Sequence, residues 1–330
     1  MKVIIPLAGF GTRLRPHTYT VPKPLIPVAG KAVLGHILDK LEGLAIEEIV
    51  FIIGYLGDQI AEYVRANYGF PSRFIEQIEL KGQAHAIHLA REHVSGPVLI
   101  IFVDTLFETD LGLLQDITSD GIIYVKEVED PRRFGVVVTQ HGFIARLVEK
   151  PATAISNLAV IGLYYLKDSH LLMKCLAELM RKDIKTKGEY FLADALQLMI
   201  NRGSRLEART VEVWEDCGKP ETVLHTNRYL LEHGGAQETE TQNSVLIPPV
   251  YIEHTAVIKD SVIGPHVSVA GEARIIRSII RDSIISERAQ IEDANLSQSL
   301  IGKAAYVRGS FQRLNVGDSS QVDLAGNDHV

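Results

Sequence analysis

Gly9 and Gly11 follow a short apolar run at residues 2–7, and two cations, Arg13 and Lys23, come soon after them. Glycines at a strand end let the backbone approach a ligand with its N–H groups turned outward, which suits phosphate. The guanidinium of Arg13 offers a planar fork to phosphate oxygens, and Lys23, between Pro22 and Pro24, offers a point charge on a stiff loop. A Gly-x-Gly pair alone marks any tight turn, and the cations are what direct this one towards anions. Asp104 ends the apolar run 98–103, a strand terminus where either a ligand-facing carboxylate or the N-cap of a following helix is expected. Cys175 reads as core, and Cys217 has no evident base partner that would make it a nucleophile.

The full string Gly9-x-Gly11-Thr12-Arg13-Leu14-x-Pro16-x-Thr18, followed by Pro22-Lys23-Pro24-Leu25-Ile26-Pro27-Val28, resembles the signature of the sugar-phosphate nucleotidylyltransferases, the NDP-sugar pyrophosphorylases. More segments follow in the family's order up to about residue 235: the run around Gln83, Phe134-Gly135-Val136, Val148-Glu149-Lys150-Pro151, Asn157 with Gly162, Gly188-Glu189 with Asp194, and Trp214-x-Asp216-x-Gly218-x-Pro220. The resemblance implies attack by a sugar-1-phosphate oxygen on the α-phosphorus of a nucleoside triphosphate, with release of pyrophosphate. Such chemistry asks for positioning and charge neutralisation rather than a protein nucleophile. By the same resemblance Arg13, Lys23, Asp104 and Asp216 are catalytic, and Asp104 and Asp216 hold magnesium, with Asp110 and Glu215 as substitutes. Leu7, Ala8, Gly9, Gly11, Thr12, Arg13 and Gln83 bind the nucleotide; Gly135, Glu149, Lys150, Asn157, Gly162 and Glu189 bind the sugar phosphate. His85 and His88 read as structural or surface residues of a helix. Glucose-1-phosphate with dTTP or UTP is the favoured pair. Leu-Ala-Gly before the variable residue, where thymidylyltransferase-like members carry Ala-Gly-Gly, leaves the base open between those two.

These residues need a scaffold. Over residues 1–110 short β-rich runs alternate with helical periods: 46–53 and 97–103 read as buried strands, and Val33, Leu34, Ile37, Leu38 and Leu41 fall on one helix face. Such alternation predicts an α/β fold with a Rossmann-like, mostly parallel mixed sheet flanked by helices, binding its ligand at the carboxyl ends of the strands. Strands are expected at 122–126, 135–139, 143–148, 159–165 and 205–213, and helices at 169–181, 191–201 and 220–231. The catalytic domain then covers 1–235 and a polar linker 236–244. From 245 to 317, β-branched residues such as Ile252, Ile258, Ile263, Val269 and Ile275 recur every five or six positions, with Ala256, Ala273 and Ala289 where a coil interior is tight. This resembles the hexapeptide repeat of a C-terminal left-handed parallel β-helix, around three coils of roughly eighteen residues. Residues 318–330 form a polar tail.

Composition narrows the partners. The chain has 330 residues, is 46% hydrophobic and carries a formal charge of −7 with no dense basic cluster, which argues against nucleic acid or an anionic membrane. The amino-terminal apolar run is too short for a signal peptide or a membrane span, and two cysteines suit the reducing cytoplasm. Stacked coils expose flat faces, so a homo-oligomer through the β-helix is expected. Two other readings stay open: a non-catalytic regulatory subunit that keeps the pocket, and a bifunctional enzyme whose coils transfer an acyl group with His254 or His266 as base.

Overall fold

The computed structural model describes residues 1–309; the tail expected at 318–330 and the end of the repeat expected at 317 lie outside the described residues. Strand β1 (Lys2–Pro6) is an apolar run whose middle three residues are fully buried. A hairpin of β2 (Pro27–Val28) and β3 (Lys31–Ala32) leads into α1 (Val33–Asp39). The alternation continues through β4 (Glu48–Ile53), α2 (Gly57–Asn67), β5 (Ser72–Glu76), α3 (Gln83–His88) and β6 (Val98–Ile101). β5, β4, β1 and β6 lie side by side and parallel, with Ile4 facing Val50 on one flank and Ile100 on the other. Continuous apolar runs form this part because both of its faces are covered: Leu34, Ile37 and Leu38 of α1 pack on one, Ala84 and Ile87 of α3 on the other.

Beyond β6 the strand direction changes. β7 (Thr105–Glu108) leaves the main sheet, and β8 (Gly121–Glu127), β9 (Gly135–Gln140), β10 (Phe143–Glu149) and β11 (Leu158–Leu166) follow. β11 pairs antiparallel with β6, β8 and β9, so one long strand joins the two halves. α4 (Ser169–Arg181) is capped by Asp168, whose carboxylate accepts the Leu171 N–H at 2.9 Å. Its buried Leu172, Cys175, Leu176 and Leu179 fall on one helical stripe, which puts Cys175 in the core. α5 (Leu192–Asn201), β12 (Leu206–Thr210), β13 (Val213–Asp216) and α6 (Pro220–Leu230) complete the domain. The result is a nine-stranded mixed sheet in the order β10-β9-β11-β6-β1-β4-β5, with β8 on β11 and β12 on β8.

The single strand expected over 205–213 is two. β12 runs parallel to β8 and ends at Thr210, and β13 then turns away to pair antiparallel with β7. Lys126 Nζ holds the break by donating to the carbonyls of Val211 and Glu212. This break carries Asp216 to the end of β7 next to Asp104.

Among the described residues the carboxyl-terminal part is a parallel β-helix whose three sheets each contain four short strands. On one face Val245 pairs with Val262, Val262 with Ile279 and Ile279 with Asn295, so the coils take sixteen or seventeen residues. There are thus more and shorter coils than the expected three of about eighteen, because single left-handed residues such as Asp260, Arg277 and Asp293 make the corners tight. Ile258, Ile275, Ile291, Ala273 and Ala289 fill the interior. A serine relay serves one corner: Ser261 N–H donates to Ser244 Oγ at 3.1 Å, Ser278 N–H to Ser261 Oγ at 3.1 Å and Ala294 N–H to Ser278 Oγ at 3.2 Å. In the segment expected as a linker, Gln237 and Gln242 already bridge to Tyr251 and Lys259. Ile284 and Leu300 of the coils pack on the core of the catalytic part. Among the described residues no helix is long and apolar enough to cross a membrane.

Candidate active site

Two cavities open at the carboxyl ends of the strands and share a wall made by Arg13, Gln83, Phe102 and Asp104. The first, ≈ 390 Å³, is lined by Leu7, Ala8, Gly9, Gly11, Thr12 and Lys23 and reaches Gln77, Leu80 and Gly218. The second, ≈ 530 Å³, is lined by Gly135, Glu149, Lys150, Gly162, Trp214 and Asp216. All seven residues expected to bind a nucleotide therefore line the first cavity. Of the six expected at the sugar phosphate, Gly135, Glu149, Lys150 and Gly162 line the second, whereas Glu189 lies at the first. Asn157 lines neither: its side chain is exposed, and its carbonyl accepts the Val128 N–H at the start of β11.

The glycine loop is built by close packing. Gly11 has φ +62°, and a Cβ there would lie 2.9 Å from Lys23 Cβ, so glycine lets the lysine stem pass against the loop. Gly9 faces open space, where the backbone is free to meet a ligand. Thr18 Oγ1 donates to the Gly11 carbonyl at 2.9 Å and fixes the turn. Lys23 Nζ stands 3.8 Å from Asp104 Oδ2, which joins the loop cation to the β6 end.

The two acids meet through strand pairing. Asp216 lies opposite Thr105 in the β7–β13 ladder, and the Cys217 N–H donates to the Asp104 carbonyl at 2.9 Å. Asp216 Oδ1 accepts the Gly218 N–H at 2.7 Å, leaving Oδ2 for other partners. Among the described residues no three His, Cys, Asp or Glu gather as a metal cage. Two carboxylates beside a glycine loop carrying two cations are hard oxygen donors of the kind that suits a divalent cation which keeps several waters. Burial pushes the Cys217 thiol up to about 12, so it stays protonated and unreactive.

In the second cavity Glu149 is 10% exposed, and burial raises its carboxyl above the ordinary range while Lys150 Nζ, 3.5 Å away, pulls the other way. Lys150 takes a left-handed φ of 43° and lays its ammonium 4.7 Å over the Phe191 ring. Gly162, with φ +87°, sits where the β11–β8 register shifts; a Cβ there would press on Phe102 at 3.0 Å. Asp194, also raised by burial, accepts a hydrogen bond from Thr186 at 2.9 Å and supports the floor.

Several lining residues went unread in the sequence. Gln77 is buried at the end of β5 and lines the first cavity; its Nε2 lies 3.0 Å from His85 Nδ1, which gives His85 its structural task. The strand-end logic that selected Asp104 would have found it. Arg132, Arg133 and Lys187 add three cations to the second cavity, and Lys187 stands two residues before Glu189. His254 is 79% exposed beside Glu253, while His266 Nε2 is 2.7 Å from Glu232 and its Nδ1 3.4 Å from Asp282, where the coils meet the catalytic part. Neither histidine lines either cavity.

A nucleotidyl transferase family profile matches residues 2–233, and a GlmU-like C-terminal hexapeptide profile matches residues 234–291. The chain is 35% identical over 261 residues to the bifunctional protein GlmU of Methanocaldococcus jannaschii, covering 78% of this chain and spanning only 61% of that relative. It is 30% identical to the low-salt glycan biosynthesis nucleotidyltransferase Agl11 of Haloferax volcanii, over 98% of this chain and 100% of the other. Among solved structures, a UDP-glucose pyrophosphorylase complexed with UDP-glucose superposes with a TM-score of 0.60 at 25% identity, over 70% of this chain and 98% of that one.

Proposed function

As the chain belongs to the nucleotidyl transferase family, we propose that it transfers the nucleotidyl group of UTP or dTTP to glucose-1-phosphate and releases pyrophosphate. The observation that carries this reading is the shared wall: a triphosphate on the glycine loop and a sugar phosphate beside Lys150 would meet at Arg13 and Asp104. The sugar phosphate is already an anionic nucleophile. Its oxygen forms the new bond to the α-phosphorus as the bond to the β-phosphate oxygen breaks, so no general base is required. Arg13 and Lys23 neutralise the charge gathering on the departing pyrophosphate. Gln77 and Gln83 offer carboxamides to the base, Lys150 and Lys187 hold the acceptor phosphate, and Glu149 accepts from the sugar hydroxyls. Magnesium held by Asp104 and Asp216 would supply further neutralisation of phosphate charge.

Oligomerisation through the coils is part of the proposal: Val245 and Ile279 are exposed and share an outer row with half-buried Val262. Two buried free cysteines suit the cytoplasm, where we place the protein. The test is a pyrophosphate-release screen of the common triphosphates against glucose-, glucosamine- and mannose-1-phosphates with magnesium. Release with UTP or dTTP and glucose-1-phosphate is expected; release from no pair by the folded chain would favour the non-catalytic subunit. The hexapeptide match favours acyl transfer as a second reading, tested with acetyl-CoA and an amino-sugar phosphate.

A further inference from the structure

The coils and the catalytic part meet at a buried carboxamide. Asn227 lies on α6, the helix that follows Asp216, and is 1% exposed. Its Oδ1 accepts the Ala29 N–H at 2.9 Å and the Ser268 hydroxyl at 2.6 Å, and its Nδ2 donates to the His266 carbonyl at 3.3 Å. Ala29 belongs to the β2–β3 turn, a few residues after Lys23, whereas His266 and Ser268 belong to the coils. The preceding residue, Thr226, is also buried and donates to the Asp216 carbonyl at 3.0 Å. One turn of α6 thus fastens the acid-bearing strand, the hairpin behind Lys23 and the β-helix together.

The hairpin turn needs such a restraint. Ala29 adopts φ 45°, a left-handed conformation that alanine disfavours, and persists in it with its N–H held by Asn227. Gly30, at φ +80°, lies under the Tyr251 ring from the coils, so closely that any Cβ would overlap the ring. Upstream of Lys23, His17 lies against Gly302 of the coils: a Cβ there would be 3.6 Å from His17 Nδ1. The coils therefore touch the 17–30 segment on both sides of Lys23. A neutral group with two acceptor sites and two donors suits this junction better than a charge, which burial would penalise.

We infer that Asn227 is a positioning residue through which the β-helix fixes the Lys23 loop, and hence the triphosphate, an inference that rests on the nucleotidyl transfer reading above. Calorimetric binding of UTP and dTTP with magnesium to the full chain tests it as a double-mutant cycle of Asn227→Ala with Lys23→Ala. The expected result is that Asn227→Ala weakens triphosphate binding about tenfold when Lys23 is present and by less than about twofold when it is absent. In turnover, Asn227→Ala is expected to leave the KM for glucose-1-phosphate unchanged. Equal losses in both backgrounds, or an equal rise in both KM values, would make Asn227 a fold support only and overturn the inference. Should Asn227→Ala not fold, Ser268→Ala and Tyr251→Ala each remove one coil contact, and weaker triphosphate binding at an unchanged sugar-phosphate KM is expected from both; normal binding in both would overturn it. A wild-type chain that binds neither triphosphate overturns the functional reading itself, and this inference with it.

Discussion

Replacing Gly135 with alanine adds one methyl group to the second cavity at a point where its effect follows from geometry. Gly135 opens β9 directly opposite Glu149, the last residue of β10, and a Cβ there would lie 2.9 Å from Glu149 Oε2. Gly135 is not in the left-handed region, so alanine meets no backbone strain and the effect falls on the carboxylate. That oxygen must retreat by about 0.5 Å to reach ordinary van der Waals contact. It can do so only by turning within the cavity that it lines and shifting the carboxylate held beside Lys150, which moves the acceptor away from the place assigned to the sugar hydroxyls. A hydrogen bond to a charged group contributes about 1.5–3 kcal/mol, and each ~1.4 kcal/mol lost is about tenfold in rate. The kcat/KM for glucose-1-phosphate should therefore fall about 10- to 100-fold. The KM for the triphosphate should stay within about twofold, because Gly135 lines only the second cavity. Pyrophosphate release with each substrate varied in turn reads both numbers. A triphosphate KM that rises as much as the sugar-phosphate KM, or a variant with normal kinetics, would refute the placement of the sugar against Glu149.

Glu149→Gln should lower turnover yet raise the melting temperature at neutral pH. The unfolded chain ionises this carboxyl near 4.5 and the folded chain only at higher pH, so stability declines as pH rises through that window. Lys150 and Lys187 oppose the burial effect and Asp194 reinforces it. Thermal melts should show the variant's advantage vanish below about pH 4, where both states are protonated; an advantage that grows on acidification would reverse the assigned cause. Cys217→Ala should keep kcat within about twofold, since a thiol with a pKa near 12 does no nucleophilic work, and loss of turnover in a folded variant would contradict this. Ile279→Lys puts a charge into the outer apolar row of the coils and should lower the sedimenting mass without lowering turnover per chain; an unchanged mass would remove that face from the assembly.

Much of the positioning was legible because it depends on local signals. The apolar run before Gly9 and the one before Asp104 announce two adjacent parallel strands, and their ends form the wall shared by the cavities. The break between β12 and β13 was not legible: Val211 is buried and continues the strand pattern, and only Lys126, distant in sequence, shows where the chain turns. Lys187 escaped notice because a lone lysine carries no periodicity and only the fold brings it to the second cavity, whereas Gln77 follows a strand end as Asp104 does and was open to the same reading. Asn157 had the right neighbours, but it stands just before β11 with its side chain exposed, and its carbonyl takes the Val128 N–H just after β8. The repeat identified the coils, although its average spacing hid corners shortened by left-handed residues. Which coil face docks on α6 is a matter of shape, of the Asn227 carboxamide and of the Arg228–Asp282 ion pair, and no pattern in the coils encodes it.

Asp104 and Asp216, joined through the β7–β13 pair, are proposed to serve one phosphoryl centre. The most direct measurement is pyrophosphate release from UTP or dTTP and glucose-1-phosphate with magnesium, by the wild type, Asp104→Asn and Asp216→Asn, with the melting temperature of each recorded. Turnover is expected in the wild type and near-complete loss in both variants, with melting temperatures close to that of the wild type. Normal rates in both folded variants would contradict it.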